Sequence, residues 1–245
     1  MGSKAGFWYF DHISCCAQLL IPSPDPPDNI TLEEFIQSDK HGRAATSVSK
    51  NPFTCGLSGR TYSVQEMRQR VDYLSRALSK ELGISANSGT EWDKVLGIFA
   101  LNTVDNLTAV FAVHKLGGII TPANAAYSQS EVEYQMKSAG AKALFTCLPL
   151  LDTALAAAKA VGIPEKHVYL LEMADSFTGG NKSSLTTVNQ LIEAGSKLPE
   201  TQSIRLEQGQ GATRCAFLCY SSGTSGLPKG VMISVSGCLF SETIY

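Results

Sequence analysis

The amino-acid sequence predicts an α/β fold: a mostly parallel sheet with helices on both of its faces. Short, continuous apolar runs at residues 95–101 and 215–220 are typical of strands that are buried on both sides. Between such runs lie segments with the apolar periodicity of helices. Strands that alternate with helices of about 10 to 15 residues indicate crossover connections and therefore a parallel sheet.

Three helices are predicted to begin at capping boxes, in which a hydroxyl residue is followed three positions later by a glutamate. These pairs are Thr31 with Glu34, Ser63 with Glu66, and Ser128 with Glu131. Ser58 and Gly59 predict a tight turn between two short strands. The remaining elements are expected as helices at 104–116, 150–160 and 188–194 and as strands at 119–121, 142–147, 167–171 and 231–233. Residues 176–184 and 198–213 are predicted to be surface loops, because they carry few apolar side chains.

Composition excludes several classes of protein. The 245 residues carry a formal net charge of -2 and no basic patch, which argues against nucleic-acid binding. No apolar run approaches the about 20 residues that a membrane span requires. Seven cysteines, an odd number spread along the chain, do not indicate a disulfide framework. Cys215 and Cys219 are expected to be core residues on one face of a strand, and no metal site is predicted.

A polar loop between two apolar strands carries the candidate chemistry. It reads Ser-Ser-Gly-Thr-Ser-Gly-Leu-Pro-Lys-Gly over residues 221–230. Its glycines allow main-chain amides to approach a ligand closely, and its four hydroxyls can donate hydrogen bonds to phosphate oxygens. Lys229 adds a positive charge. Such a concave set of amides, hydroxyls and one cation is suited to a polyphosphate.

Three other interpretations of this loop are less consistent with the sequence. A flexible Ser/Gly linker would not be framed by two apolar strands or contain an ordered Pro-Lys-Gly. A Walker A loop requires Ser or Thr directly after Gly-Lys, whereas here Pro228 precedes the lysine and Gly230 follows it. A Rossmann loop requires glycines that open directly into a helix.

Residues 220–230 resemble, at every position, the signature loop of the adenylate-forming (AMP-binding) superfamily. The Tyr-Ser-Ser opening is most similar to acyl-CoA synthetases of the 4-coumarate–CoA ligase type, including their fungal relatives. The resemblance extends upstream and covers roughly residues 21–234. The upstream segments that carry it are 29–36, 61–82, 97–101 and 114–124.

The resemblance implies a two-step reaction with a small carboxylic acid, ATP, Mg²⁺ and coenzyme A. The carboxylate attacks the α-phosphate of ATP, and the thiol of coenzyme A then takes the acyl group from the acyl-adenylate. Lys229 and Thr224 are implied as catalytic residues, with Lys229 stabilising the charge that develops on pyrophosphate. The implied phosphate-binding residues are Ser221, Ser222, Gly223, Thr224, Ser225, Gly226 and Lys229.

The sequence also departs from the family. Residues 1–27 are interpreted as a segment outside the core with a Pro-rich linker, and 28–234 as a partial AMP-binding domain, an incomplete N-terminal part of that fold. Residues 235–245 are expected to be an atypical tail, because the His and Asn that open the next helix in the family are missing. Such a tail would arise from a retained intron or an erroneous gene model. The family's acyl pocket, its adenine and ribose motifs and its mobile C-terminal domain follow the loop in sequence.

We therefore expect an N-terminal piece of an ATP-dependent carboxylate–CoA ligase that makes no acyl-CoA alone. Two alternatives stay open: a non-catalytic nucleotide-binding or regulatory fragment, and an adenylation domain with another acceptor. Relatives of this kind imply a cytoplasmic or peroxisomal location, and the chain ends without a peroxisomal tripeptide. The sequence predicts no oligomeric state and no particular carboxylic acid.

Overall fold

The computed structural model describes residues 8–9, 27–41, 52–181, 183–221 and 227–243. The strands in these ranges are β1 (Trp8–Tyr9), β2 (Phe53–Thr54), β3 (Thr61–Tyr62), β4 (Val95–Phe99), β5 (Ile119–Ala123), β6 (Ala143–Thr146), β7 (Val168–Leu170), β8 (Cys215–Ser221) and β9 (Lys229–Ser234). The α-helices are α1 (Leu32–Gln37), α2 (Val64–Leu82), α3 (Val104–Lys115), α4 (Gln129–Ala139), α5 (Leu151–Val161), α6 (Asp175–Thr178), α7 (Val188–Ser196), α8 (Gln210–Thr213) and α9 (Val235–Thr243).

The main sheet has seven strands in the order β1-β9-β8-β5-β4-β6-β7. Every neighbouring pair in it is parallel except β8 and β9, which are antiparallel. The parallel pairs are separated in sequence by helices, as crossover connections require. A separate antiparallel pair is formed by β2 and β3. The predicted mostly parallel α/β sheet is confirmed.

Helices cover both faces of this sheet. On one face, Leu96 and Ile98 of β4 pack into a core with residues of α2, α3 and α7. On the other face, Phe99 packs with Val132 of α4 and with residues of α5. This alternation along one strand follows from the two-residue period of side chains in a strand. It explains why the whole of β4 is apolar.

The three capping signals each mark a helix start, although at Thr31 the structure shows one half of the predicted box: its hydroxyl accepts from the Glu34 amide at 3.0 Å. The Ser63 hydroxyl accepts a hydrogen bond from the amide of Glu66, whose carboxylate accepts one from the Ser63 amide at 2.7 Å. The helix that begins there ends at Gly83, whose φ of 64° is the left-handed conformation that glycine adopts without strain. At Ser128, before α4, the amide and the hydroxyl both donate to the Glu131 carboxylate, at 2.8 and 2.7 Å.

Two predictions about the connecting segments were wrong. Residues 198–213 are not only a surface loop: Ile204 and Leu206 are 7% and 8% exposed, in a core with Leu32 and Phe35. The backbone amide of Ile204 also donates to the carbonyl of Lys115 at 3.1 Å. Short helices, α6 and α8, were missed in these segments. A few apolar residues in a polar segment suffice to anchor it when they meet a helix from elsewhere in the chain.

The expectation that Cys215 and Cys219 share a strand face was also wrong. The register of β8 against β9 is irregular between Cys215 and Phe217. Cys215 packs with Leu218 in one cluster. Since neighbouring residues of a strand point to opposite faces, Cys219 lies on the face opposite to Cys215.

His114 on α3 is a packed residue. It is 4% exposed, and its Nε2 lies 3.0 Å from the carbonyl oxygen of Ala216 on β8. Its ring meets that of Phe217 edge-on at 4.9 Å. Burial lowers the pKa of His114 from 6.5 to about 4. The imidazole is therefore neutral near pH 7 and joins α3 to the strand that leads into the loop.

The titration of His114 gives a first prediction. Between pH 6.5 and 4 the unfolded chain holds a proton on His114 that the folded chain lacks. The contribution of the neutral His114 to the free energy of unfolding is therefore complete above pH 6.5 and is lost as the pH falls towards 4. The full loss is about 3 kcal/mol, because one pKa unit corresponds to about 1.4 kcal/mol. We expect the difference in unfolding free energy between the unmodified chain and His114→Gln to shrink over this range in urea titrations. A difference that does not depend on pH contradicts it.

Candidate phosphate-binding loop

The loop site is built on the antiparallel pair of β8 and β9. Ser221, the last residue of β8, pairs with Lys229, the first residue of β9, and Tyr220 pairs with Gly230. The side chains of Ser221 and Lys229 are both exposed. The structure therefore brings together two of the predicted site residues. The others, Ser222, Gly223, Thr224, Ser225 and Gly226, lie outside the described residues.

The position of the pair within the sheet favours ligand binding. β8 runs parallel to β5, and β5 runs parallel to β4. Ser221 is thus found at the carboxyl end of a strand, on the edge of the sheet where the other parallel strands also end. In open α/β sheets, ligands bind outside this edge.

A buried hydrogen-bond network fixes β8 beside β5 and α4. The Thr121 hydroxyl donates to the carbonyl of Leu218 at 2.8 Å. The side-chain amide of Gln135 donates to the Thr121 hydroxyl at 2.8 Å and to the carbonyl of Pro122 at 3.0 Å. Thr121 and Gln135 are 0% and 1% exposed. Because the Thr121 hydroxyl and the Leu218 carbonyl bond each other in a buried position, shifting β8 would break this hydrogen bond and leave both groups without it.

Tyr134 on α4 touches both ends of the loop. Its hydroxyl donates to the carbonyl of Pro228, one residue before Lys229, at 3.0 Å. Its ring meets that of Tyr220, one residue before Ser221, edge-on with centroids 6.3 Å apart. No sequence pattern singles out Tyr134. In the sequence it is one more aromatic residue on an amphipathic helix, and only the tertiary contact reveals its role.

The rest of the described chain holds neither a metal-binding cluster nor a helix that could span a membrane. Within those ranges no group of three or more His, Cys, Asp or Glu side chains is arranged to hold a metal ion. None of the helices described is both long and apolar enough to cross a membrane.

After β9, helix α9 buries Val235 and Leu239 against α1 and β8. The boundary at 234 and the reading of 235–245 as an unrelated tail stay predictions.

The sheet therefore places a Ser- and Gly-rich sequence directly after the carboxyl end of β8, in a mostly parallel α/β fold. Residues 37–244 match the model of the AMP-binding enzyme family. The chain belongs to that family, which confirms the resemblance of residues 220–230.

The relatives include fungal acyl-CoA ligases. Acyl-CoA ligase gloD of Glarea lozoyensis is 35% identical over 92% of this chain and 39% of that protein. Acyl-CoA ligase AFT1-1 of Alternaria alternata is 37% identical over 89% of this chain and 38% of that protein. The chain thus spans less than two fifths of the length of these relatives.

Solved structures show the same fold. The anthranilate CoA ligase AuaEII, in complex with anthranoyl-AMP, matches 88% of this chain and 37% of its own, with a TM-score of 0.65 and 20% identity. A red-emitting luciferase of Phrixothrix hirtus matches 89% of this chain and 39% of its own, with a TM-score of 0.67 and 18% identity.

Removal of the Tyr134 hydroxyl gives a second prediction. Tyr134→Phe deletes the hydrogen bond to Pro228, which is worth about 1 kcal/mol. Amide hydrogen exchange at Leu227, Lys229 and Gly230 should therefore accelerate by about fivefold. The matched control is Tyr73→Phe on α2, a helix on the opposite face of the sheet. Equal exchange at these amides in both variants contradicts the role given to Tyr134.

Proposed function

We propose that this chain supplies the phosphate-binding part of an ATP-dependent carboxylate–CoA ligase. The observation that carries this proposal is the pairing of Ser221 with Lys229 at the carboxyl edge of the sheet. It sets a residue that carries a hydroxyl and a residue that carries an ammonium group at paired backbone positions, one at each end of the loop. A triphosphate needs both kinds of donor, since its oxygens accept hydrogen bonds and its charge requires a cation.

The individual roles follow from the chemistry of these groups. The ammonium of Lys229 compensates negative charge on the β- and γ-phosphates and on the departing pyrophosphate, which lowers the barrier to adenylation. The hydroxyls of Ser221, Ser222, Thr224 and Ser225 and the amides of Gly223 and Gly226 are proposed to donate to the phosphate oxygens. Mg²⁺ commonly binds through substrate phosphates and water rather than through a protein cage, so we propose that it arrives with ATP.

The complete reaction is a proposal about a ligase that contains these residues, since the chain spans 39% and 38% of its two fungal relatives. The names of those relatives support coenzyme A as the acyl acceptor. The anthranoyl-AMP bound in the solved ligase supports an acyl-adenylate as the intermediate. We propose a small carboxylic acid as the substrate and the cytoplasm or peroxisome as the location.

An adenylation domain with another acceptor is the second candidate. Tyrocidine synthase 3 of Brevibacillus parabrevis matches 87% of this chain, but at 26% identity. The fungal acyl-CoA ligases stand at 35% and 37%. This difference favours coenzyme A over a peptide-synthetase acceptor.

The role of Lys229 is tested by measuring how tightly the chain binds magnesium pyrophosphate. Lys229→Ala removes a charged donor worth about 1.5–3 kcal/mol, so the dissociation constant from calorimetry should rise at least about tenfold. The control is Lys159→Ala, which removes an exposed lysine from α5. If the two variants bind pyrophosphate equally well, Lys229 is not the phosphate cation.

The catalytic competence of the 245 residues is tested separately. We predict that the chain, given ATP, Mg²⁺, labelled pyrophosphate and a panel of aliphatic and aromatic carboxylic acids, does not exchange pyrophosphate into ATP above the buffer rate. This outcome together with pyrophosphate binding describes the non-catalytic nucleotide-binding alternative for the isolated chain. Acyl-adenylate formation from any of the acids overturns the prediction.

A further inference from the structure

Helix α4 is a rigid support beside the loop. Its residues Val132 and Met136 are 0% and 1% exposed and pack in the core with Phe99 of β4. Met136 lies so close to Gly97 of β4 that a β-carbon at this glycine would collide with the methionine sulfur. Close packing of this kind fixes a helix relative to its sheet. A polar group that α4 carries next to the loop therefore acts from a fixed position.

The hydroxyl of Tyr134 anchors the backbone just outside the ladder between β8 and β9. The pairing of these strands reaches Ser221 and Lys229, and Pro228 is the next residue towards the loop. A proline has no amide hydrogen with which to extend a ladder. The Tyr134 hydroxyl donates to the carbonyl of Pro228 at 3.0 Å. This hydrogen bond therefore holds the chain one residue beyond the last pair of strand residues.

The carbonyl of Pro228 belongs to the peptide bond that leads into Lys229. A peptide bond is planar, so the oxygen of Pro228 lies in one plane with the amide nitrogen and the Cα of Lys229. A hydrogen bond to this oxygen restricts the rotation of that plane. The direction in which the lysine side chain leaves the backbone depends on the plane. Tyr134 therefore acts on Lys229 through the backbone.

The ring of Tyr134 acts on the other strand of the pair. It meets the ring of Tyr220, the residue before Ser221, edge-on with centroids 6.3 Å apart. Aromatic pairs in this arrangement stabilise a contact beyond the area that they bury. A single side chain of α4 thus contacts the residue before Ser221 and the residue before Lys229.

We propose that Tyr134 is a positioning residue for phosphate binding, which orients the ammonium of Lys229 towards a pyrophosphate or the terminal phosphates of a nucleotide. This role rests on the one proposed for Lys229, and it adds a residue from outside the loop to the site. A lysine side chain samples many rotamers, and ordering it on binding costs conformational entropy. A backbone that already directs the lysine reduces this cost, so Tyr134 raises the affinity for the anion.

A purely structural role for Tyr134 gives a different expectation. Loss of its hydroxyl would then lower the free energy of unfolding, but it would leave the dissociation constant for pyrophosphate unchanged. It could also change that constant by the same factor with or without Lys229. Residues that act through one another have non-additive effects, whereas the effects of independent residues add. A double-mutant cycle therefore separates the two roles.

The test combines Tyr134→Phe with Lys229→Ala and measures the binding of magnesium pyrophosphate by calorimetry. Tyr134→Phe should raise the dissociation constant of the otherwise unmodified chain by about fivefold, as the loss of one neutral hydrogen bond does. In the Lys229→Ala background the same change should have less than about a twofold effect. Tyr73→Phe on α2 is the matched control and should change neither constant. No effect of Tyr134→Phe with Lys229 present, or an equal factor in both backgrounds, overturns the positioning role.

A spectroscopic measurement covers the case in which Lys229→Ala binds too weakly for calorimetry. In a chain that contains ¹³C-labelled lysine, the ε-methylene signal that disappears in Lys229→Ala belongs to Lys229. Saturating magnesium pyrophosphate should shift this signal less in Tyr134→Phe than in the unmodified chain, because the ammonium is less well directed at the anion. A loss of stability alone does not change the shift at saturation, so equal shifts overturn the positioning role.

The same measurements keep the role of Tyr134 apart from the proposed function. If Lys229→Ala binds pyrophosphate as tightly as the unmodified chain, Lys229 is not the phosphate cation, and both proposals fall. If Lys229→Ala weakens binding and Tyr134→Phe does not, the proposed function stands and only the role of Tyr134 falls.

Discussion

The pairing of β8 with β9 is the constraint on which the candidate site depends. It sets Ser221 opposite Lys229, so a loop of mostly small polar residues begins and ends at adjacent backbone positions. A free chain would lose much conformational entropy in bringing these two ends together. Here the ladder between β8 and β9 has already brought the two ends together.

The rest of the fold supports this pair from both sides. Thr121 and Gln135 hold β8 against β5, and Tyr134 contacts the residues just before and just after the loop. On the opposite face, His114 reaches the backbone of β8 at Ala216. α3 and α4 therefore act on the same strand from opposite faces of the sheet. The two strands that flank residues 222–226 are therefore held in place by the core of the fold.

Sequence reasoning succeeds where the signal is local and fails where it depends on distant residues. The capping box at Ser63 and the apolar run of β4 each need only a few neighbouring residues, and both were predicted. The family was predicted because residues 220–230 carry its signature together. The buried Lys94, whose Nζ donates to the carbonyls of Ala86 and Leu116, has no local signal. The register irregularity near Cys215 and the contacts of Tyr134 likewise arise only when the strands and helices assemble.

The most direct measurement is an NMR titration of the isotope-labelled chain with magnesium pyrophosphate, following backbone amide signals. If the paired ends of the loop hold the phosphate site, the signals of Ser221, Lys229 and Gly230 will shift and saturate together. The amides of the β2–β3 hairpin will not move. Shifts confined to exposed lysines such as Lys159, or no saturable shift at Ser221 and Lys229, would contradict the account.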